Sequence, residues 1–282
     1  MNAKNMLDLL RDYVGEASAA HWTDVNLLRR LNAGQKKVSL MVAMSPGRWL
    51  LKRSGVLTPV ASVVTLPTDC AKPLYIEEVS SERVMPWLDG GIKFRRVSRG
   101  VGTSLDLEGQ KEVYPVGNTI EINASGYTKT VYVWYERRVP DLYACSTLAA
   151  ASAGVSITFN SDMIAKNVAD YYNGVAFEAT GGTGEGTVDE ITDYTAARVA
   201  TVSGTYSTDT ELGTVSVLPE ETHDLIVLEA AVMALTKPSS TLDREVFVQM
   251  VSERTMMRKL VVEWLESRVG GGGGVAIGDL AI

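Results

Sequence analysis

Two histidines, His21 and His223, and two cysteines, Cys70 and Cys145, are the whole stock of imidazole and thiol in this 282-residue chain. An imidazole base needs an orienting acid and a nearby nucleophile, and a zinc site needs several ligands at close spacing. Two isolated histidines give little material for the first and none for the second. His21 adjoins Trp22 just before a helix-capping Thr23-Asp24, and His223 falls in the first turn after Pro219, so a structural or contact role outweighs catalysis at both. The cysteines lie far apart without CxxC spacing, which indicates neither a disulfide framework nor a metal site and suits a reducing compartment. The run Gly181-Gly182-Thr183-Gly184-Glu185-Gly186-Thr187 is as rich in glycine as a phosphate cradle. It lacks the lysine and the following helix that such a loop requires, and β-type residues come next, so it reads as a hairpin turn. Lys93, Arg95, Arg96 and Arg99 around Phe94 are the best candidates for holding phosphate and stacking a base. Against that stands the reading of a solvated face, or of ion pairs with an adjoining subunit. Acid pairs such as Glu77-Glu78 and Asp189-Glu190 are plentiful, but a sequence sets no distance between carboxylates. No catalytic residue is nominated, no metal or cofactor is implied, and the chain is not expected to be an enzyme.

The elements that would position any site follow from hydrophobic period and punctuation. Met6, Leu9, Leu10 and Tyr13 fall at helical spacing within residues 3–15. Thr23 and Asp24 offer a capping oxygen before Leu28, Leu31, Val38, Met41 and Val42, which keep to one face of a helix that Ser45-Pro46-Gly47 should end. Short β-type runs occupy residues 56–140, and Val131-Tyr132-Val133-Trp134-Tyr135 is β-branched and aromatic enough for a central strand. Strands are also expected at 155–159, 175–180, 187–192, 198–202 and 214–218. Leu218-Pro219-Glu220-Glu221 opens a helix that is apolar on most faces, and Thr241 can cap a last helix reaching Arg268. Gly270 to Gly274 end that helix and tether the apolar residues 275–282.

Apolar residues make up 45% and charged residues 22%, which excludes a wholly disordered or collagen-like chain. The net charge of −7 argues against an isolated DNA-reading domain. Residues 146–217 hold two basic and nine acidic side chains and so carry that whole charge, and they are poor in Leu and rich in Gly, Thr, Ala and Val. The expected fold class is α+β. In it, residues 1–50 and 218–269 form a helical bundle, 51–145 an antiparallel β-region, 146–217 an inserted acidic β-module and 270–282 a glycine-tethered tail. The first residues show no basic segment followed by an apolar run, and no stretch approaches the ~18 apolar residues of a membrane span. A protein that is neither secreted by the standard route nor held in a membrane is expected.

Three segments together resemble the head-to-tail adaptor (connector) proteins of tailed bacteriophages. Trp22-Thr23-Asp24 with Leu27-Leu28-Arg29-Arg30-Leu31-Asn32 and Gln35 is similar to the opening helix of that family. Leu218-Pro219-Glu220-Glu221-Thr222-His223-Asp224-Leu225-Ile226-Val227 is similar to the entry into its second long helix. Asp170-Tyr171-Tyr172-Asn173-Gly174, through Gly182-Thr183-Gly184-Glu185-Gly186 to Ile191-Thr192-Asp193-Tyr194, resembles a small β-module of phage structural proteins. Leu66-Pro67-Thr68-Asp69 and Val131 to Tyr135 fit the intervening β-region.

The resemblance implies a virion protein of the neck, assembled in the host cytoplasm. It implies a ring of twelve copies that docks under the portal protein, extends the DNA channel used in genome ejection and receives a neck or tail-completion protein. DNA would pass without sequence-specific binding. The expected portal-docking residues are Val275, Ala276, Ile277, Leu280, Ala281 and Ile282. The expected contacts between copies are Leu225, Ile226, Leu228, Arg95 and Arg96. The alternative is a tail-associated glycan-binding or depolymerase protein, which would need an acid pair or an aromatic platform among Phe159, Tyr171, Tyr172, Phe177, Tyr194 and Tyr206.

Overall fold

The computed structural model describes residues 1–15, 22–45, 47–85, 113–116, 118–122, 126–152, 155–236 and 244–267. The chain divides into two compact units. One is continuous, Leu50–Arg138; the other joins Met1–Trp49 to Val139–Ile282.

The continuous unit is two antiparallel sheets around one core. Strands β1 (Leu51–Arg53), β3 (Cys70–Glu78), β4 (Arg83–Met85) and β7 (Val131–Arg137) form one sheet in the order β1-β7-β3-β4. Strands β2 (Val63–Thr65), β5 (Val113–Val116) and β6 (Thr119–Ile122) form the other in the order β2-β6-β5. β7 is central because its side chains alternate strictly: Val131, Val133 and Tyr135 are buried, while Tyr132 and Trp134 face outward. The buried set meets Ile76 and Met85 of its own sheet and Val64, Ile120 and Ile122 of the other. Pro73 lies inside β3 at a shift of register against β7, a place where its missing amide donor is tolerated.

In the discontinuous unit, α1 (Ala3–Tyr13) starts at Asn2, whose side-chain oxygen accepts from the Asn5 amide at 2.8 Å. Helix α2 (Asp24–Met44) starts at Thr23, which accepts from the Asn26 amide at 3.3 Å. Two further small sheets follow. The first contains β8 (Ala144–Cys145), β11 (Ala176–Gly181), β12 (Val188–Glu190) and β15 (Glu211–Thr214) in the order β12-β11-β15-β8. The second contains β9 (Ala150–Ser152), β10 (Ser156–Thr158), β13 (Asp193–Tyr194) and β14 (Val199–Thr201) in the order β13-β14-β10-β9. They share an aromatic core in which Tyr143 stacks on Phe159 at 4.2 Å and Tyr172 meets Tyr194 edge-on. The glycine run is the β11–β12 hairpin loop. Gly182 has φ +71°, and a Cβ there would stand 2.2 Å from the Asp209 carbonyl oxygen, so only glycine fits. A 3-10 turn at Glu220–Thr222 then leads into α3 (His223–Leu235), and the last helix is α4 (Arg244–Ser267).

This corrects the expected fold class. The chain is not a helical bundle carrying an inserted β-module: four antiparallel sheets dominate, and the described residues contain four α-helices. The physical reason lies at α1. Asn2 bridges to Val215 next to β15 and donates to the Glu178 carboxylate of β11 at 2.6 Å. Gly213 of β15 lies so close to α1 that an added Cβ would meet the Lys4 amide nitrogen at 2.4 Å. The acidic block is therefore a structural partner of the first helix, and residues 146–217 belong to the same unit as the helices.

Candidate functional site

The helices of the discontinuous unit are pinned by buried polar groups. Asn32 of α2 both donates to the Leu142 carbonyl at 3.1 Å and accepts from the Leu142 amide at 2.6 Å. Gln35 donates to the Pro140 carbonyl at 2.7 Å and accepts from Ser216 at 2.9 Å. Gly34 lets α3 approach α2 closely, since a Cβ there would lie 2.6 Å from the Ile226 carbonyl oxygen. In α3 the carboxylate of Glu229 is fully buried, and it is held by Arg258 of α4 and by Lys37 of α2 at 3.5 Å. A buried carboxylate requires such partners, and this one joins three helices.

Helix α4 is less fully covered. Met250, Val261 and Leu265 are buried, but Val246, Val248, Met256, Leu260 and Val262 are exposed, Met256 and Leu260 by 58% and 50%. Met256, Leu260 and Trp264 recur every four residues and so share one face of the helix. At the end of that strip Trp264 stacks on Trp49, with ring centroids 4.9 Å apart. The two indoles, with Val217, Leu218, Pro219 and Glu221, line an open pocket of about 360 Å³. The strip thus ends at a pocket lined by two indoles and by polar as well as apolar groups.

The continuous unit carries a second exposed feature. Arg53 of β1 pairs with Trp134 of β7, which pairs with Tyr75 of β3. The Arg53 guanidinium lies 4.5 Å from the centre of the Tyr132 ring, Trp134 and Tyr75 stack at 5.5 Å, and the Trp134 indole donates to Glu77 at 2.7 Å. One face of the Tyr132 ring is thus held by the cation, and Trp134 and Tyr75 are held by each other.

Titration is perturbed where burial demands it. His223 is 3% exposed, and its Nε2 donates to the Leu218 carbonyl at 3.1 Å while Nδ1 faces the Met1 amino group at 3.0 Å. Burial first, and then that positive amine, lower its pKa below the ordinary value, so the ring is a structural neutral imidazole. Burial, with the Asp69 carboxylate adding to it, pushes the Cys70 thiol up to about 11, and burial also raises that of Cys145; neither is a ready nucleophile. Asp189 titrates below its usual range. Partial burial would raise it, but the amides of Gly204 and Glu190 and the amide and hydroxyl of Ser203 outweigh that, and the carboxylate ties a turn.

Leu225, Ile226 and Leu228, expected between copies, are 0%, 0% and 3% exposed and sit in the core of the chain itself. Arg95, Arg96, the cationic run around Phe94, His21, and the segment Val275, Ala276, Ile277, Leu280, Ala281 and Ile282 lie outside the described residues. Phe159, Tyr172, Phe177, Tyr194 and Tyr206 are buried in the shared core, and the Tyr171 hydroxyl donates no platform but binds its own chain, where it accepts from the Asp141 amide at 3.1 Å. Among the described residues no three His, Cys, Asp or Glu side chains gather as metal ligands, and no helix is long and apolar enough to cross a membrane. The signal for the α4 strip was present in the sequence as the i, i+4 run Met256, Leu260, Trp264. What the sequence did not show was that Trp49, over 200 residues away, would close its end. Compared with known proteins, the chain matches no family model and no curated protein.

Proposed function

We propose that the chain is a structural assembly protein, a head-to-tail adaptor of a tailed bacteriophage. In this reading twelve copies form a ring beneath the portal protein, extend the DNA channel and receive the next neck or tail component. The observation that supports it is the α4 surface, whose exposed Val246, Val248, Met256, Leu260 and Val262 ask for cover that the described residues do not supply. The adaptor-like segments at Trp22 to Gln35 and Leu218 to Val227 fall at the start of α2 and the entry to α3. An acidic ring also suits DNA that must slide, because cationic contacts to phosphate would hold it.

The test is electron microscopy and light scattering of the purified chain with and without its portal protein. A ring that forms or grows on the portal is the expected result, since head-to-tail contacts close only at the right rotation. A stable monomer that ignores the portal would overturn the reading.

A further inference from the structure

Two exposed faces of the discontinuous unit carry opposite charge. Helix α2 holds four cations, Arg29, Arg30, Lys36 and Lys37, against one acid, Asp24 in its first turn, and that acid is taken by Arg11. Leu28, Leu31, Gln35, Val38 and Val42 make the buried side of the helix. At 3.6 residues per turn the opposite side gathers Arg29, Lys36, Leu40 and Met44. All four are exposed, Leu40 by 65% and Met44 by 86%. Two bare apolar side chains at i, i+4 spacing, with an arginine beside them, have the composition of a contact surface.

The face that matches it lies on the acidic module. β12 is an edge strand of one small sheet, β13 is an edge strand of the other, and two residues separate them in sequence. Glu185 in the hairpin loop, Val188 and Glu190 on β12 and Asp193 on β13 are exposed, Val188 by 63%. Val188 and Glu190 are two residues apart and so point to the same side of the strand. Carboxylates thus flank an apolar side chain here, as cations flank two on α2. Among the described residues no ion pair holds Arg29, Glu185, Glu190 or Asp193. Lys36 touches Asp141 at 3.6 Å from a side chain that is 70% exposed. Charges that do not meet within one chain are free to meet between two.

We propose that the outer face of α2 in one copy docks on the β12–β13 edge of a second copy, with Leu40 and Met44 against Val188 and the cations against Glu185, Glu190 and Asp193. Two different surfaces meet, so a pair of copies keeps one free face of each kind and the contact runs head to tail until it closes. Exposed ion pairs add little affinity, but they set orientation and partner choice, and salt weakens them. This contact would build the proposed ring, yet it rests on the two faces and not on the adaptor reading.

The test is sedimentation velocity of the full chain without portal protein. Its weight-average mass should rise above the 30.5 kDa of one copy as concentration rises, and fall back when salt is raised to about 0.5 M. A chain carrying Arg29→Glu and Lys36→Glu has two acidic faces, and one carrying Glu190→Lys and Asp193→Lys has two basic ones. Each alone should associate at least about tenfold more weakly than the parent, because like charges then face each other. An equal mixture of the two should regain the parental mass, since every contact between unlike copies again joins opposite charges. Recovery in the mixture needs both variants folded, and the milder pair Arg29→Gln with Lys36→Gln should weaken association without adding charge. A parent that stays at the mass of one copy, variants that associate as well as the parent, or folded variants whose mixture stays monomeric would each overturn the proposal. A ring that forms on the portal while the mixture stays monomeric would sink this contact and leave the adaptor reading standing.

Discussion

Helices α3 and α4 are neighbours with opposite fates. Eleven of the thirteen residues of α3 are buried, a charged Glu229 among them, whereas α4 buries one narrow stripe and leaves valine, methionine and leucine in water on either side of it. Composition separates the two in part, since ten of thirteen residues are apolar in α3 and twelve of twenty-four in α4. The number of faces that neighbours occupy does the rest: α3 has α1, α2 and α4 around it, and among the described elements α4 packs mainly on α3. A helix apolar all round is a core element only if the chain supplies partners for every face; otherwise its surplus marks an interface.

The largest test of this contrast is Ile226→Ala, which should cost about 3 kcal/mol in urea unfolding, because a fully buried side chain leaves a cavity that α2 and α1 cannot collapse into. Next is Arg258→Ala. It strips the buried Glu229 of its nearest cation and leaves Lys37, and since Arg258 is itself partly exposed the expected loss is about 2 kcal/mol. A smaller effect is expected from pH. His223 at the head of α3 is neutral when folded and regains its ordinary pKa when unfolded, so the unfolded chain binds the extra proton and stability falls as pH drops below about 6.5. Melting temperature measured from pH 7.5 to 5 should show that slope, with Met1, Glu220 and Asp224 as the charges acting on the ring, and His223→Gln should flatten it. The smallest is Val248→Ser on α4, expected within about 0.5 kcal/mol of the parent, because the position is exposed.

Local structure was legible where a single residue decides it. Thr23 caps α2, Val131 to Tyr135 falls within a strand paired on both sides, and the glycine run turns a hairpin, each for the reason its residue types suggest. Partnership was not legible. Met6, Leu7 and Leu10 announce that α1 has an apolar face, and it does pack on α2 and α3, but nothing in their spacing says that β8 and β15 pack on the same helix. The same limit hid the site. Leu225, Ile226 and Leu228 look as available for an interface as Met256 and Leu260, and only packing shows that the first three are already used.

One consequence concerns synthesis. The continuous unit has all its described strands once Arg138 has left the ribosome, and it can close while the chain is still growing. The contacts of α1 with the strands must wait, since the Glu178 carboxylate that receives Asn2 is 176 residues further on and β15 later still. Such long-range closure is slow, so until the later strands and α3 are made α1 has α2 to pack on, through contacts such as Arg11 with Asp24. The continuous unit can therefore close before the unit whose two parts flank it in sequence has all its partners.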